Sequence, residues 1–202
     1  MIKMLNKIYN FRLWLYFTAC IFLKLKKVTV TSPANSNFGS VNLSGRILSG
    51  DYDKVVPFLN IFKKNNQGNI NSEITMMKAA HRFSWLYHLA AQDDKMAKFS
   101  CQTLFEDWVE NNSRFSLLVW DLETVGLRLI ALSMNSNFIL RSIRDENKFL
   151  ILLMKQIMFL KLSYKLSKRG MPRLRVLLGI FFSTMILDGN KDSLGRIIID
   201  IY

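Results

Sequence analysis

The sequence predicts an all-α protein built from antiparallel helical hairpins, with an irregular segment before them. Glycine and proline are scarce, with 9 and 3 residues in a chain of 202, which disfavours a turn-rich β fold. Half of the residues are hydrophobic, so the chain can bury a substantial core. From residue 73 onward, apolar side chains recur every three or four positions, as on one face of a helix. The chain therefore divides into residues 1–27, 28–72 and 73–202.

Residues 1–27 predict a basic amphipathic helix. Their apolar run from Leu13 to Leu23 is eleven residues long, whereas a helix needs about 20 residues to cross a bilayer. Basic residues flank the run on both sides and no small-x-small cleavage site follows it, so a targeting segment is disfavoured. An amphipathic or core-packing helix fits the pattern better.

Residues 28–72 predict an irregular connector, because they contain two stretches rich in Asn and Ser, which favour turns. Between these stretches, short apolar pieces are interrupted by Gly39, Gly45 and Gly50. That pattern predicts short strands or an extended segment laid across the helices. The glycines lack the spacing of a phosphate-binding loop.

A helix is predicted to begin near Asn71 and to carry two stripes. The first stripe is apolar and consists of Met76, Ala79, Phe83, Leu86 and Ala90. The second combines aromatic, imidazole and amide groups, in His81, Trp85, His88 and Gln92. Flat rings stack on pyranose faces and imidazoles hydrogen-bond to hydroxyls, so the second stripe could line a sugar-binding groove. Alternatively, the helix packs on two sides and a backbone carbonyl satisfies each histidine.

The next elements complete one hairpin and start another. Asp93 and Asp94 predict a tight turn that caps a second helix, Lys95–Asn111. Asp121 predicts the cap of a third helix, in which Arg128 stands within an apolar run. Burial of this arginine would require a carboxylate or carbonyl partner. An ion pair with an acid of the neighbouring hairpin, or a substrate carboxylate, would meet that requirement.

Three more helices are predicted in the C-terminal part of the chain. They are 148–168, 173–187 and a last helix that starts near Asp192. The last helix is strongly apolar, lacks a capping signal and has no hairpin mate. We therefore expect the chain to be the front part of a longer protein.

The net charge of +13 is unevenly distributed. Residues 1–72 carry ten Lys and Arg against two acids, residues 73–149 nine against ten, and residues 150–202 nine against three. Such a chain could meet nucleic acid, an anionic membrane or an acidic polymer, or simply expose solvated basic faces. The two isolated cysteines, Cys20 and Cys101, lack the spacing of a disulfide framework or a zinc site. Neither a metal nor a cofactor is predicted.

Several short motifs follow one another along the helical part. They are Phe83-x-Trp85-Leu86, Asp107-Trp108 with Asn111, Trp120, Gly126-x-Arg128-Leu129, Leu174-Arg175-Val176-Leu177-Leu178-Gly179 and Leu187-x-Gly189-Asn190, preceded by the segment 38–50. In their order and spacing they resemble the N-terminal helical domain of bacterial heparinase II/III-like proteins. The resemblance covers roughly residues 35–202.

The resemblance implies that the hairpins form part of an (α/α) toroid and that the chain comes from a polysaccharide lyase. Such lyases act by β-elimination on uronic-acid-containing glycans and carry a C-terminal β-sandwich domain. Their catalytic Tyr and His belong to regions beyond residue 202, so no catalytic residue is assigned and the chain alone is expected to be inactive. Four residues could contribute to a substrate groove: Trp85, His88, Trp120 and Arg128.

The same resemblance implies an acidic polysaccharide as partner, together with the missing C-terminal toroid and β-sandwich portion. It implies the cell envelope or periplasm, with the cytoplasm as the alternative. A non-catalytic helical scaffold, or a protein that contacts a membrane surface or a partner through residues 1–27, is the rival interpretation. A nucleic-acid-binding module is less favoured, because no aromatic residue interleaves the lysine stripe formed by Lys161, Lys165 and Lys168. We therefore expect no nucleic acid.

Overall fold

The computed structural model describes residues 2–22, 39–48, 78, 80–112 and 114–187. Within these ranges the chain forms eight α-helices and no β-strand, which confirms the predicted all-α fold. The helices are α1 (Ile2–Phe22), α2 (Val41–Leu48), α3 (Trp85–Gln92), α4 (Lys95–Asn111), α5 (Leu122–Met134), α6 (Ser136–Ser142), α7 (Glu146–Ser163) and α8 (Met171–Ile186). Membership of an (α/α) toroid stays a prediction.

Aspartate side chains start three of the helices. Asp94 accepts a hydrogen bond from the backbone N–H of Ala97 at 2.7 Å, and Asp121 accepts one from that of Thr124 at 3.1 Å. Asp145 caps α7 in the same way. Each cap satisfies one of the unpaired N–H groups of a first turn, which is worth about 1 kcal/mol. The predicted turn and caps between α3, α4 and α5 are therefore confirmed.

The helix predicted to run through Phe83 is instead broken there. Phe83 has a φ of 59°, a left-handed conformation that is costly for a residue with a Cβ. Its fully buried ring lies 5.1 Å from that of Trp85 and 5.0 Å from that of Trp108, between ring centroids. Burial of this aromatic cluster outweighs the local helical preference, so a turn over residues 82–84 separates the helical residues 80 and 81 from α3, which begins at Trp85. The predicted start near Asn71 lies outside the described residues.

The segment around Val41–Leu48 also differs from the prediction, because it is a helix rather than a strand or extended piece. Ser44 and Ile47 lie three residues apart on one face and are both buried, which makes α2 amphipathic. Gly39, just before α2, permits a close approach to α3. A Cβ built on Gly39 would lie 1.7 Å from the backbone oxygen of Tyr87, so only a glycine permits this contact.

The N-terminal helix α1 packs on the core, which is one of the two roles predicted for it (an amphipathic or a core-packing helix). Leu13, Phe17 and Cys20 form its buried face. The Phe17 ring meets the Trp120 ring edge-on, with centroids 4.7 Å apart. Among the described helices, none combines the length and apolarity that crossing a bilayer requires.

Helices α5 and α8 cross at very short range through Gly126 and Gly179. A Cβ built on Gly179 would lie 2.5 Å from the backbone oxygen of Gly126 and 2.9 Å from its Cα. Farther along the same pair, the hydroxyls of Ser133 and Ser183 are 2.9 Å apart and share a hydrogen bond in the core. Small residues thus let the two backbones touch. The helix predicted to start near Asp192 lies outside the described residues.

Candidate functional site

The most unusual group in the core is the guanidinium of Arg128, on α5. The side chain is fully buried. Its Nε donates a hydrogen bond to Oε1 of Gln156 at 2.8 Å. Its Nη1 donates to the backbone oxygens of His81 at 2.9 Å and Val119 at 3.1 Å. Two carbonyls and an amide therefore satisfy three of its five N–H donors.

No ion pair joins Arg128 to any carboxylate in the described part of the chain. The expected ion pair with an acid of the neighbouring hairpin is therefore absent from the described residues. Backbone carbonyls, the other expected kind of partner, bind the guanidinium instead. Two indole rings support the cation instead, because its Cζ lies 4.5 Å from the ring centroid of Trp108 and 5.7 Å from that of Trp120. Burial lowers the pKa of Arg128 to about 9, so the group stays charged at neutral pH.

Three donor nitrogens around Arg128 lack an acceptor among the residues that the structure describes. They are Nη2 of Arg128, Nε2 of Gln156 and Nε1 of Trp120, all buried. Unpaired buried donors are uncommon and each costs about 1–3 kcal/mol. The neighbourhood of Arg128 is therefore positively charged and richer in donors than in acceptors.

His81 belongs to the same buried group and has a structural role. Its Nδ1 accepts a hydrogen bond from Nε1 of Trp108 at 3.0 Å, so a neutral ring carries its proton on Nε2. Burial, and then the nearby charge of Arg128, lowers the pKa of His81 to about 4. An indole N–H thus satisfies Nδ1 of the ring inside the core, and the backbone carbonyl expected from the sequence stays a prediction for Nε2.

We expect the buried imidazole to make folding stability fall as the solution is acidified. The unfolded His81 takes up a proton below about pH 6.5, whereas the folded one resists protonation down to about pH 4. Its contribution is therefore complete above about pH 6.5 and is lost on the way down to about pH 4, by up to about 3 kcal/mol. Urea unfolding across this range measures the slope, and His81→Gln, which can still accept the Trp108 N–H, should flatten it. An equal slope in the variant would contradict the assignment.

His88 borders a cavity formed by described residues, which we call the first cavity. This open cleft has a volume of about 570 Å³ and is lined by Ser84, Tyr87, His88, Ile130, Met134 and Phe182. The Nδ1 of His88 accepts a hydrogen bond from the backbone N–H of Ser40 at 3.1 Å, which ties the start of α2 to α3. Burial lowers the pKa of His88. The neutral ring therefore carries a donor at Nε2.

The second cavity lies between α1, α4 and α7 and has a volume of about 380 Å³. Its lining is mostly apolar and consists of Phe17, Cys20, Trp108, Val109, Asn112, Trp120, Lys148, Ile151, Leu152 and Lys155. Lys148 is exposed and Lys155 half-buried. They lie seven residues apart and hence on the same side of α7. Neither forms an ion pair with a described carboxylate.

The four residues expected to line one substrate groove do not meet in one. Trp85 and Arg128 are enclosed in the core, with 1% and 0% of their surface exposed. Trp120 is also buried but borders the second cavity, while His88 borders the first. Trp85 and Arg128 thus pack the hairpins together, and a role of either residue in ligand binding stays a prediction.

Sequence reasoning missed the two lysines of the second cavity and the rings of Tyr87 and Phe182 at the first. The seven-residue spacing of Lys148 and Lys155 indicates that both lysines lie on the same side of one helix. What the spacing could not show is that α1 and α4 close an apolar wall beside it. Tyr87 lies on α3 and Phe182 on α8, so these two rings meet at the first cavity although they are far apart in the chain.

Other chemistry is sparse in the described part of the chain. Cys20 and Cys101 are both free and buried, and burial raises their thiol pKa values to about 11 and about 12, which disfavours the reactive thiolate. Within the described residues, no group of three or more His, Cys, Asp or Glu side chains is placed to hold a metal ion.

Comparison with known proteins yields no match. No protein-family model fits the chain, and neither the curated proteins nor the solved structures include a match to it. The kinship with heparinase II/III-like proteins therefore stays a prediction from the motifs.

Proposed function

We propose that this chain is the N-terminal helical part of a heparinase II/III-like polysaccharide lyase, in which it binds glycan without performing the elimination. The ordered motifs support the family. The observation that carries the binding role is the open cleft at His88, which places Tyr87 and Phe182 beside polar groups. His88, one of the residues expected to bind substrate, borders this cleft.

The cleft has the chemistry that a sugar requires. Tyr87 and Phe182 offer flat rings for the apolar face of a pyranose. The Nε2–H of the neutral His88 ring can donate to a hydroxyl, because Nδ1 is already engaged by Ser40. A volume of about 570 Å³ accommodates a mono- or disaccharide unit. The cleft itself has no cationic lining residue among those described, so an acidic glycan would draw its electrostatic attraction from the overall positive charge.

The elimination step itself is assigned to the rest of the lyase. Abstraction of the C5 proton needs a base that reaches the substrate, and His81 is held neutral inside the core. The partners of the chain are then an acidic polysaccharide and the C-terminal toroid and β-sandwich portion. The cell envelope or periplasm is the compartment that this role implies.

Binding and turnover of uronate-containing glycans test this proposal together. We expect the chain to bind heparin, chondroitin sulfate or alginate oligosaccharides saturably, with no rise in the absorbance band of unsaturated uronates. Phe182→Ala should weaken binding about tenfold through loss of ring stacking. The matched control is Phe99→Ala, which removes an exposed phenylalanine from α4 and should leave affinity unchanged. Turnover by the chain, or equal affinity in the two variants, would refute the proposal.

A membrane-surface role is the second candidate, and the outer face of α1 favours it. Ile8, Phe11, Trp14 and Leu15 are exposed there, and the rings of Phe11 and Trp14 are stacked with centroids 5.9 Å apart. The exposed Lys7 and Arg12 lie on the same helix, which suits an anionic interface.

The same preparation distinguishes the candidates when it is offered anionic vesicles and duplex DNA beside the glycans. Vesicle binding that disappears in the double variant Phe11→Ser, Trp14→Ser would favour the membrane role. These two side chains point away from the core, so the variant keeps the buried face formed by Leu13, Phe17 and Cys20. Salt-sensitive binding to DNA alone would instead favour the nucleic-acid module.

A further inference from the structure

The cavity between α1, α4 and α7 has the size and walls of a small-molecule site. Its volume of about 380 Å³ falls within the usual range of about 300–1,000 Å³. Apolar side chains form most of the lining, including Phe17, Ile151 and Leu152. Such walls favour an aliphatic or aromatic body over a sugar or a phosphate.

Two cations lie beside these apolar walls. Lys148 and Lys155 both line the cavity from the same side of α7, and no carboxylate is among the described lining residues. Lys148 and Lys155 are two helical turns apart on α7, so both ammonium groups can attract an anion that enters the cavity from this side. A bound carboxylate would be attracted to both.

A third cation lies behind the cavity wall. The cavity is lined by Trp108 and Trp120, and Arg128 lies against both of these rings, 4.5 Å and 5.7 Å from their centroids. Its charge has no carboxylate partner in the described part of the chain. An anion in the cavity would therefore also be attracted to the charge of Arg128.

The hydrogen-bonding pattern points in the same direction. Trp120 lines the cavity and is only 3% exposed. Its buried indole Nε1–H has no acceptor among the described residues. Nη2 of Arg128 and Nε2 of Gln156 are also unpaired donors. These unpaired donors and the charge of Arg128 favour a negatively charged ligand in the adjacent cavity, because a carboxylate accepts hydrogen bonds and offsets positive charge.

From these observations we propose that the cavity binds an organic carboxylate with an apolar body, its carboxylate at Lys148 and Lys155 and its body against Phe17, Trp120 and Leu152. This site is separate from the cleft at His88, and the proposal does not depend on the proposed function. It would hold whether or not the chain is part of a lyase.

Octanoate is the probe, with octanamide as the neutral analogue of equal chain length. We expect octanoate to bind saturably and to change the tryptophan fluorescence, because Trp108 and Trp120 line the cavity. Octanamide should bind at least about tenfold more weakly. The double variant Lys148→Gln, Lys155→Gln should reduce octanoate affinity at least about tenfold and bring it close to that of octanamide.

Two further variants make the test specific. Lys161→Gln removes an exposed lysine from the same helix outside the cavity and should leave octanoate affinity unchanged. Ile151→Trp, at a cavity-lining residue that is 46% exposed, should obstruct the cavity and abolish binding without removing a charge. Circular dichroism confirms that each variant is folded. Absence of saturable octanoate binding, equal binding of octanamide, or unchanged affinity in both the lysine and the Ile151 variants would overturn the proposal.

Discussion

Gly179→Val is expected to lower the free energy of unfolding by about 3 kcal/mol or more, the upper end of the cost of overpacking a core. The added Cβ would approach the backbone oxygen of Gly126 to 2.5 Å and its Cα to 2.9 Å. Backbone atoms cannot rotate away as the end of a side chain can, so α5 and α8 must separate along their shared interface. Separation also strains the buried hydrogen bond between Ser133 and Ser183.

Thermal and urea unfolding measure this loss. A destabilisation of about 3 kcal/mol corresponds to a fall in Tm of about 6–12 °C for a chain of this size. Gly45→Ala is the matched control, because a Cβ at Gly45 meets no atom within 4 Å. It lies in α2, where alanine favours the helix by up to about 1 kcal/mol. Equal stability of Gly179→Val and the parent chain would show that α5 and α8 do not cross through these glycines.

The sequence predicted the helices and caps well where local chemistry decides the outcome. Asp94 and Asp121 cap α4 and α5 as their positions indicated, because a carboxylate before an amphipathic run satisfies the first-turn N–H groups in almost any tertiary context. The apolar spacing likewise placed Leu86 in the core. These properties depend on residues within one or two turns of each other.

The failures involve contacts between distant parts of the chain. The break at Phe83 arises because its ring is packed against Trp108 on another helix, which no local pattern records. Gly39 was interpreted as an interruption between short apolar pieces, whereas its role is to let the backbone approach Tyr87. A glycine in a sequence does not show whether it is needed for a turn or for a close contact between two backbones.

The candidate site was harder to predict than the fold for the same reason. An aromatic and imidazole stripe has the same spacing whether it faces a ligand or a second layer of core. His81 and His88 are one such pair. The first accepts a hydrogen bond from an indole in the core, and the second borders an open cleft. Only the placement of α5 and α8 around α3 separates the two roles.

Arg128→Met should be the other strongly destabilising change, by about 3 kcal/mol. Two effects oppose each other in this substitution. Burying the charge is costly, as the lowered pKa of Arg128 shows, and methionine removes that cost. Methionine also leaves the carbonyls of His81 and Val119 and the amide oxygen of Gln156 without their donor, at about 1–3 kcal/mol each. Three lost donors outweigh the relief, so the net effect is destabilising.

A double-mutant cycle with Gln156→Leu separates these effects. In the Arg128→Met background, Gln156→Leu removes one orphaned acceptor, so the double variant should recover about 1 kcal/mol relative to Arg128→Met alone. In the parent chain the same Gln156→Leu change should be destabilising, because Nε of Arg128 loses its acceptor. Urea unfolding of the four proteins gives the coupling energy. Additive effects would mean that the guanidinium and the amide do not depend on each other.

The pKa of His81 provides a second measurement of the effect of Arg128→Met. The charge of Arg128 helps to lower the pKa of His81, after burial itself, so the pKa of His81 should rise above about 4 in Arg128→Met. NMR titration of the ring measures this directly and is independent of the unfolding data. Because a higher folded-state pKa narrows the gap to the unfolded value, the acid sensitivity of the variant should also be smaller. If the variant is destabilised but the pKa of His81 is unchanged, the loss of stability would come from packing alone and not from the charge of Arg128.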